Sequence, residues 1–97
     1  MDIIFEILDK TGRKIYLPIK TWSHITRKHP SMTNYIEEIK STVKNPDKIT
    51  EWSLDKDVRY YYKHYKSKDP PKYLLVIIKY LNGKGFIISS YFRTYIL

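Results

Sequence analysis

The chain has 97 residues, enough for one hydrophobic core and too few for two, so a single domain over residues 1–97 is expected. Lysine and arginine number 18 against 10 acidic residues, a formal net charge of +8 that favours encounter with nucleic acid, acidic protein or anionic lipid without choosing among them. The absence of cysteine excludes disulfides, thiolate catalysis and thiolate metal sites, and the three histidines lack a zinc-type spacing, so no metal and no cofactor is expected.

The segment IIFEIL, residues 3 to 8, alternates as a short strand, and RKIYLPI, residues 13 to 19, reads as its hairpin partner across the DKTG turn. In TWSHITRKHP, residues 21 to 30, Thr21 or Ser23 can cap a short helix that Pro30 closes, with Trp22 and Ile25 on its apolar side. Ser31 offers a fresh cap, and Met32, Tyr35, Ile36, Ile39 and Val43 recur at helical spacing before Asn45 and Pro46 stop the run. Glu37 and Glu38 early and Lys40 and Lys44 late follow the order that the helix dipole favours.

After Pro46 the segments KITEWSL, YYYKHY, YLLVIIKYL and GFIISSYF are strand candidates separated by DKD, KSKDPP and NGKG. Asn82-Gly83 is a strong hairpin signal. The expected fold is therefore α+β: an N-terminal β-hairpin, two helices, then a four-stranded antiparallel sheet with one face left open. The N-terminal MDIIFEILDK lacks a signal-peptide pattern and no segment is long enough to span a bilayer, which leads to the expectation of a cytoplasmic protein without membrane partners.

Alternation places Arg59, Tyr61, Lys63 and Tyr65 on one face of their strand and Tyr60, Tyr62 and His64 on the other. Lys79 shares a face with Tyr73, Leu75 and Ile77, and on the last strand Ser89, Tyr91, Arg93 and Tyr95 share a face. Alternation does not say which face meets the helices, and a single bulge reverses the answer.

Lys79 ends a strongly apolar run, where it is either a cation aimed at developing negative charge or a lysine reaching solvent from the sheet edge. Ser89 and Ser90 either act on a ligand or satisfy their hydroxyls within the sheet. His24 and Arg27 lie one helical step apart and share a patch, while His29 points elsewhere. Ribonuclease chemistry is one demand these residues meet. A base takes the 2′-hydroxyl proton, an acid protonates the departing 5′-oxygen, and cations such as Arg59, Lys79 and Arg93 offset the phosphate charge. Tyrosines, ten in all, can stack on bases.

In order, WSHITRKHP, TVKNPDKI, VRYYYKHY, LLVIIKY and FIISSYFRT resemble the Barnase, EndoU, colicin and RelE-like (BECR) nuclease superfamily, especially its small phage and bacterial branch. That branch runs tryptophan, HI, then RHP or KHP, a helix ending NPD, a tyrosine-rich strand, a VVVK-like strand and a final serine or threonine strand. Lys28 stands before His29 where many relatives have arginine. The resemblance covers about three quarters of the chain. It implies a metal-independent endoribonuclease of toxin type acting on tRNA or other structured RNA. His24, His29, Lys79 and Ser89 are then the catalytic candidates, and Arg27, Arg59, Tyr61, Lys63, Tyr91 and Arg93 the substrate-binding ones. An immunity or antitoxin protein is the implied protein partner. The alternative is a non-catalytic RNA-binding or protein-interaction module, and an exposed strand edge permits homo-oligomers.

Overall fold

The strands Ile3–Leu8 (β1) and Lys14–Pro18 (β2) form the expected N-terminal hairpin, and Asp9 closes it. One Asp9 oxygen accepts from the Thr11 amide at 2.8 Å, the Thr11 hydroxyl at 2.7 Å and the Arg13 amide at 2.9 Å. An aspartate that bonds the backbone two and four residues on fixes a turn locally. The chain continues through α1 (Ile19–Lys28), a 3₁₀ turn (Pro30–Asn34) and α2 (Ile36–Lys44). It then enters β3 (Lys48–Trp52), β4 (Asp55–Tyr65), β5 (Lys72–Leu81) and β6 (Lys84–Arg93) in this computed structural model, which describes residues 2–66 and 72–96. The connection expected at KSKDPP lies, beyond Lys66, outside the described residues.

The helices depart from expectation at their starts. α1 begins at Ile19, before either expected capping residue, and its cap position is Pro18 with no side-chain cap bond. The second helix is divided, because residues Pro30–Asn34 wind as 3₁₀ and only Ile36–Lys44 is α-helical. Proline at the start of the 3₁₀ turn and the Tyr35 amide donating to Met32 O at 3.0 Å tighten this segment.

The four-stranded antiparallel sheet must be corrected to a six-stranded mixed sheet ordered β1-β2-β6-β5-β4-β3. Five strands after the first join through antiparallel or parallel ladders, and the hairpin is incorporated by a parallel β2–β6 pairing, Ile15 with Gly85 and Tyr16 with Phe86. Gly85 makes this approach possible. A Cβ there would overlap the Ile15 side chain and come within 2.9 Å of Ile78 and 3.1 Å of Tyr80. The β5–β6 turn is as expected, with Asn82 at φ 54° and Gly83 at φ 79°, both in the left-handed region that such tight hairpins require.

Both helices cover one face of the sheet. Ile25, Met32, Ile39 and Val43 pack there against Phe5, Ile15, Leu17, Tyr61, Leu74, Val76, Ile78, Tyr80 and Ile87. A bulge between Ile77 and Ile78 on the β5 register inserts Ile88 into β6, so Ile87 and Ser90 both belong to the covered face. Ser90 is buried and its hydroxyl donates to Leu75 O at 2.8 Å, the within-sheet satisfaction that was one of the two readings of the serine pair. Among the described residues no helix is long and apolar enough to cross a membrane.

Across the covered face, Asp9 reaches β4 and β5. The Tyr80 hydroxyl donates to its second oxygen at 2.7 Å, and the Tyr61 hydroxyl lies 2.7 Å from that of Tyr80 and 3.3 Å from the same carboxylate. Burial pushes the Asp9 carboxyl up, but hydrogen bonds from Thr11, Tyr80 and Arg13 outweigh it, so its pKa is lowered. Burial, together with the neighbouring Tyr61 hydroxyl and Asp9 carboxylate, pushes Tyr80 far above the ordinary phenol range.

Gly85→Ala is expected to destabilise the protein by about 1–3 kcal/mol through overpacking, read from the midpoint of urea unfolding. For Asp9 the folded pKa lies below the ordinary 3.8, so its contribution is complete above that pH and is lost as pH falls through the lower folded value. Asp9→Asn should cost about 1–3 kcal/mol at pH 7 and show a flatter loss of stability below pH 4 than the native chain.

Candidate active site

The strand registers set the uncovered face of the sheet in ranks. Tyr62, Leu75 and Tyr91 stand side by side across β4, β5 and β6, and His64, Tyr73 and Arg93 form the next rank. Behind them come Tyr60, Ile77 and Ser89, and farther along Val58, Lys79, Phe86 and Tyr16. Tyr62 and Leu75 are fully buried although no helix covers this face, because the surrounding aromatic and arginine side chains close over them.

Arg93 organises the cluster. Its guanidinium carbon lies 5.3 Å from the Tyr91 ring centre, 5.7 Å from Tyr95 and 6.0 Å from Tyr60, and its Nη2 donates to the Tyr91 hydroxyl at 2.8 Å. Arginine over aromatic faces is held by the ring quadrupole as well as by packing. Burial works against its charge, but the hydroxyls of Tyr91 and Tyr62 outweigh that and raise its pKa above the ordinary value. Its Nη1 is buried without a hydrogen-bond partner, a donor that most folded proteins would satisfy.

His29 meets this cluster from the helical layer. α1 ends at Lys28, and the His29 amide donates back to Ile25 O at 2.7 Å, so the residue leaves the helix with φ −132° and ψ 78°. This turn carries its ring to Tyr91, where the two stack at 5.0 Å between centres and 24° between planes. β2 pairs with β6 only at Gly85 and Phe86, so this part of β6 has no ladder partner on that side among the described residues. A cleft of about 380 Å³ opens there, lined by His29, Ser31, Met32, Lys72, Tyr91 and Phe92. It brings together an imidazole, an ammonium and two hydroxyls, with Arg93 directly behind Tyr91.

The other sequence-derived candidates are elsewhere. His24 and Arg27 share a patch as expected, but it is an exposed patch of α1 with Lys28 and no sheet residue. Arg59, Tyr61 and Lys63 occupy the helix-covered face of β4, not the face of Arg93. Arg59 lies over the Tyr80 ring at 5.2 Å, Tyr61 is buried with burial raising its pKa, and Lys63 donates to Asn45 O at 2.9 Å. Lys79 does lie on the uncovered face, but it pairs with Asp55, whose carboxyl pKa the Lys79 contact lowers. It stands six residues along β5 from Tyr73, the neighbour of Arg93, or about 20 Å away. Ser89 is half-buried between these ends.

Tyr60, Tyr62, His64, Tyr73, Ser31 and Lys72 were not singled out from sequence. His64 and Tyr73 pack at 5.0 Å and Tyr73 meets Tyr62 edge-on at 6.5 Å, extending the aromatic surface toward β4. The YYYKHY segment carried the signal for three of them, once the face of β4 was known. Among the described residues there is no group of three or more histidine, aspartate or glutamate side chains that could hold a metal ion. Comparisons with protein-family models, curated proteins and solved structures gave no match.

Arg93→Met, which retains chain bulk but removes the charge and the Tyr91 bond, should cost about 1–2 kcal/mol of stability and alter the tyrosine near-ultraviolet circular dichroism. An unchanged spectrum and unfolding midpoint would show that Arg93 does not hold the cluster.

Proposed function

We propose that the protein is an endoribonuclease of toxin type that cleaves tRNA or other structured RNA without a metal cofactor. The observation that carries this reading is the His29–Tyr91–Arg93 row beside a cleft that also holds Lys72 and Ser31. The basic net charge and the BECR resemblance of the sequence support it.

The chemistry follows from the contacts. His29 takes the proton of the 2′-hydroxyl as that oxygen attacks phosphorus, and the bond from phosphorus to the 5′-oxygen breaks. Tyr91 gives its proton to the departing 5′-oxygen, leaving a 2′,3′-cyclic phosphate. Its oxygen already accepts from Arg93, so its own O–H is available to donate. Lys72 and Arg93 offset the charge that grows on the phosphate oxygens. Arg93 Nη1, which lacks an acceptor, is the donor that a phosphate oxygen would satisfy.

Total RNA incubated with the purified protein in EDTA should be cut to fragments ending in 2′,3′-cyclic phosphate. His29→Ala should lower the rate about 10²–10⁴-fold, the usual worth of a general acid or base, while His24→Ala should leave it unchanged within assay error. Intact RNA over a wide range of folded protein would overturn the proposal. The tyrosine-rich uncovered face also favours an RNA-binding module that does not cut, and salt-dependent binding without cleavage would identify it. An acidic immunity or antitoxin protein would be recognised by the same basic surface, and its binding should then compete with RNA.

A further inference from the structure

At the far end of the uncovered face, away from His29, a second aromatic pair stands on adjacent strands. Tyr16 on β2 and Phe86 on β6 stack at 5.5 Å between centres with 23° between planes. They line a hollow with Ile3 and Lys84. At about 250 Å³ it is smaller than the 300–1,000 Å³ typical of pockets that enclose a whole small molecule, and suits one flat ring. Lys84 is exposed and makes no ion pair among the described residues, unlike Lys79 in the same region. Neighbouring strands presenting exposed aromatic rings beside a cation are how open sheets hold single-stranded nucleic acid.

We propose that Tyr16 and Phe86 form a base-stacking subsite for single-stranded RNA, with Lys84 contacting the phosphate beside the stacked base. This rests on the ribonuclease reading and extends it. The subsite shares a sheet face with Arg93, and the two ends are joined by Ser89 and Ile77 rather than by a covering element. Phe86 is opposite Lys79, so its separation from Arg93 is also about 20 Å, several nucleotides of extended strand. The protein therefore recognises an unpaired stretch, such as a loop, rather than only the two nucleotides around the cut bond.

The test uses fluorescently labelled 2′-O-methyl oligonucleotides, which cannot be cleaved, so binding is read independently of catalysis. The native protein should bind a hexanucleotide at least about tenfold more tightly than a dinucleotide. Tyr16→Leu, which keeps an apolar side chain on Phe86, should lose most of that advantage with dinucleotide affinity unchanged. Tyr16→Phe should retain it, and Lys84→Gln should reduce the salt dependence of hexanucleotide binding by about one phosphate contact. Equal hexanucleotide affinity in the native and Tyr16→Leu proteins, both shown folded by thermal unfolding, overturns the subsite while leaving cleavage at His29 intact. A Tyr16-dependent length effect in a protein that leaves total RNA uncut supports the subsite and rejects the ribonuclease reading.

Discussion

The buried carboxylate of Asp9 ties together parts of the chain that nothing local would bring into contact. One of its oxygens fixes the first hairpin turn, and the other receives hydroxyls from β4 and β5, 52 and 71 residues away in sequence. A charge with this little exposure is tolerated only when its lone pairs are filled, and five donor contacts fill them. Arg13 and Arg59 then rest on the Tyr80 ring from the hairpin and from β4, at 5.1 Å and 5.2 Å. The hairpin is thereby held where β2 can pair with β6. The helices that follow β2 are in turn held over one sheet face, and α1 ends where His29 can reach Tyr91.

What could be read from the residues was mostly local. The hairpin over IIFEIL and its partner, the Asn82-Gly83 turn and the helix ending before Pro46 each have a short-range chemical cause. The parallel β2–β6 ladder has none: it involves two residue pairs separated by 70 positions, and its enabling feature is the missing side chain of Gly85. The sheet was consequently expected with two strands too few. Asp9 likewise reads as a turn residue, and its long-range tyrosine partners are invisible to spacing.

The candidate site was half legible for the same reason. His29, Tyr91 and Arg93 were all named, and Ser89 was placed on the face of Arg93, as the register has it. On β4 the opposite row was chosen, because Arg59 and Lys63 are charged and alternation gives two faces without saying which one is covered. Tyr61 illustrates the ambiguity. Its ring completes the helix-side core, whereas its neighbours Tyr60 and Tyr62 contribute to the surface around Arg93. His24 and His29 were both named as catalytic candidates on different faces, but the helix stops between them and the His24–Arg27 patch is exposed and meets no sheet residue.

The position of β6 governs how the chain can reach this structure. Although it is the last strand in sequence, it lies inside the sheet, between β2 and β5. A nascent chain that has emerged only as far as β5 has an N-terminal hairpin and a β3-β4-β5 meander with no common ladder between them. The two halves become one sheet when β6 inserts, a late and non-local step that slows folding. The same step brings His29 against Tyr91, so an incomplete polypeptide lacks this stacked pair and the cleft beside it.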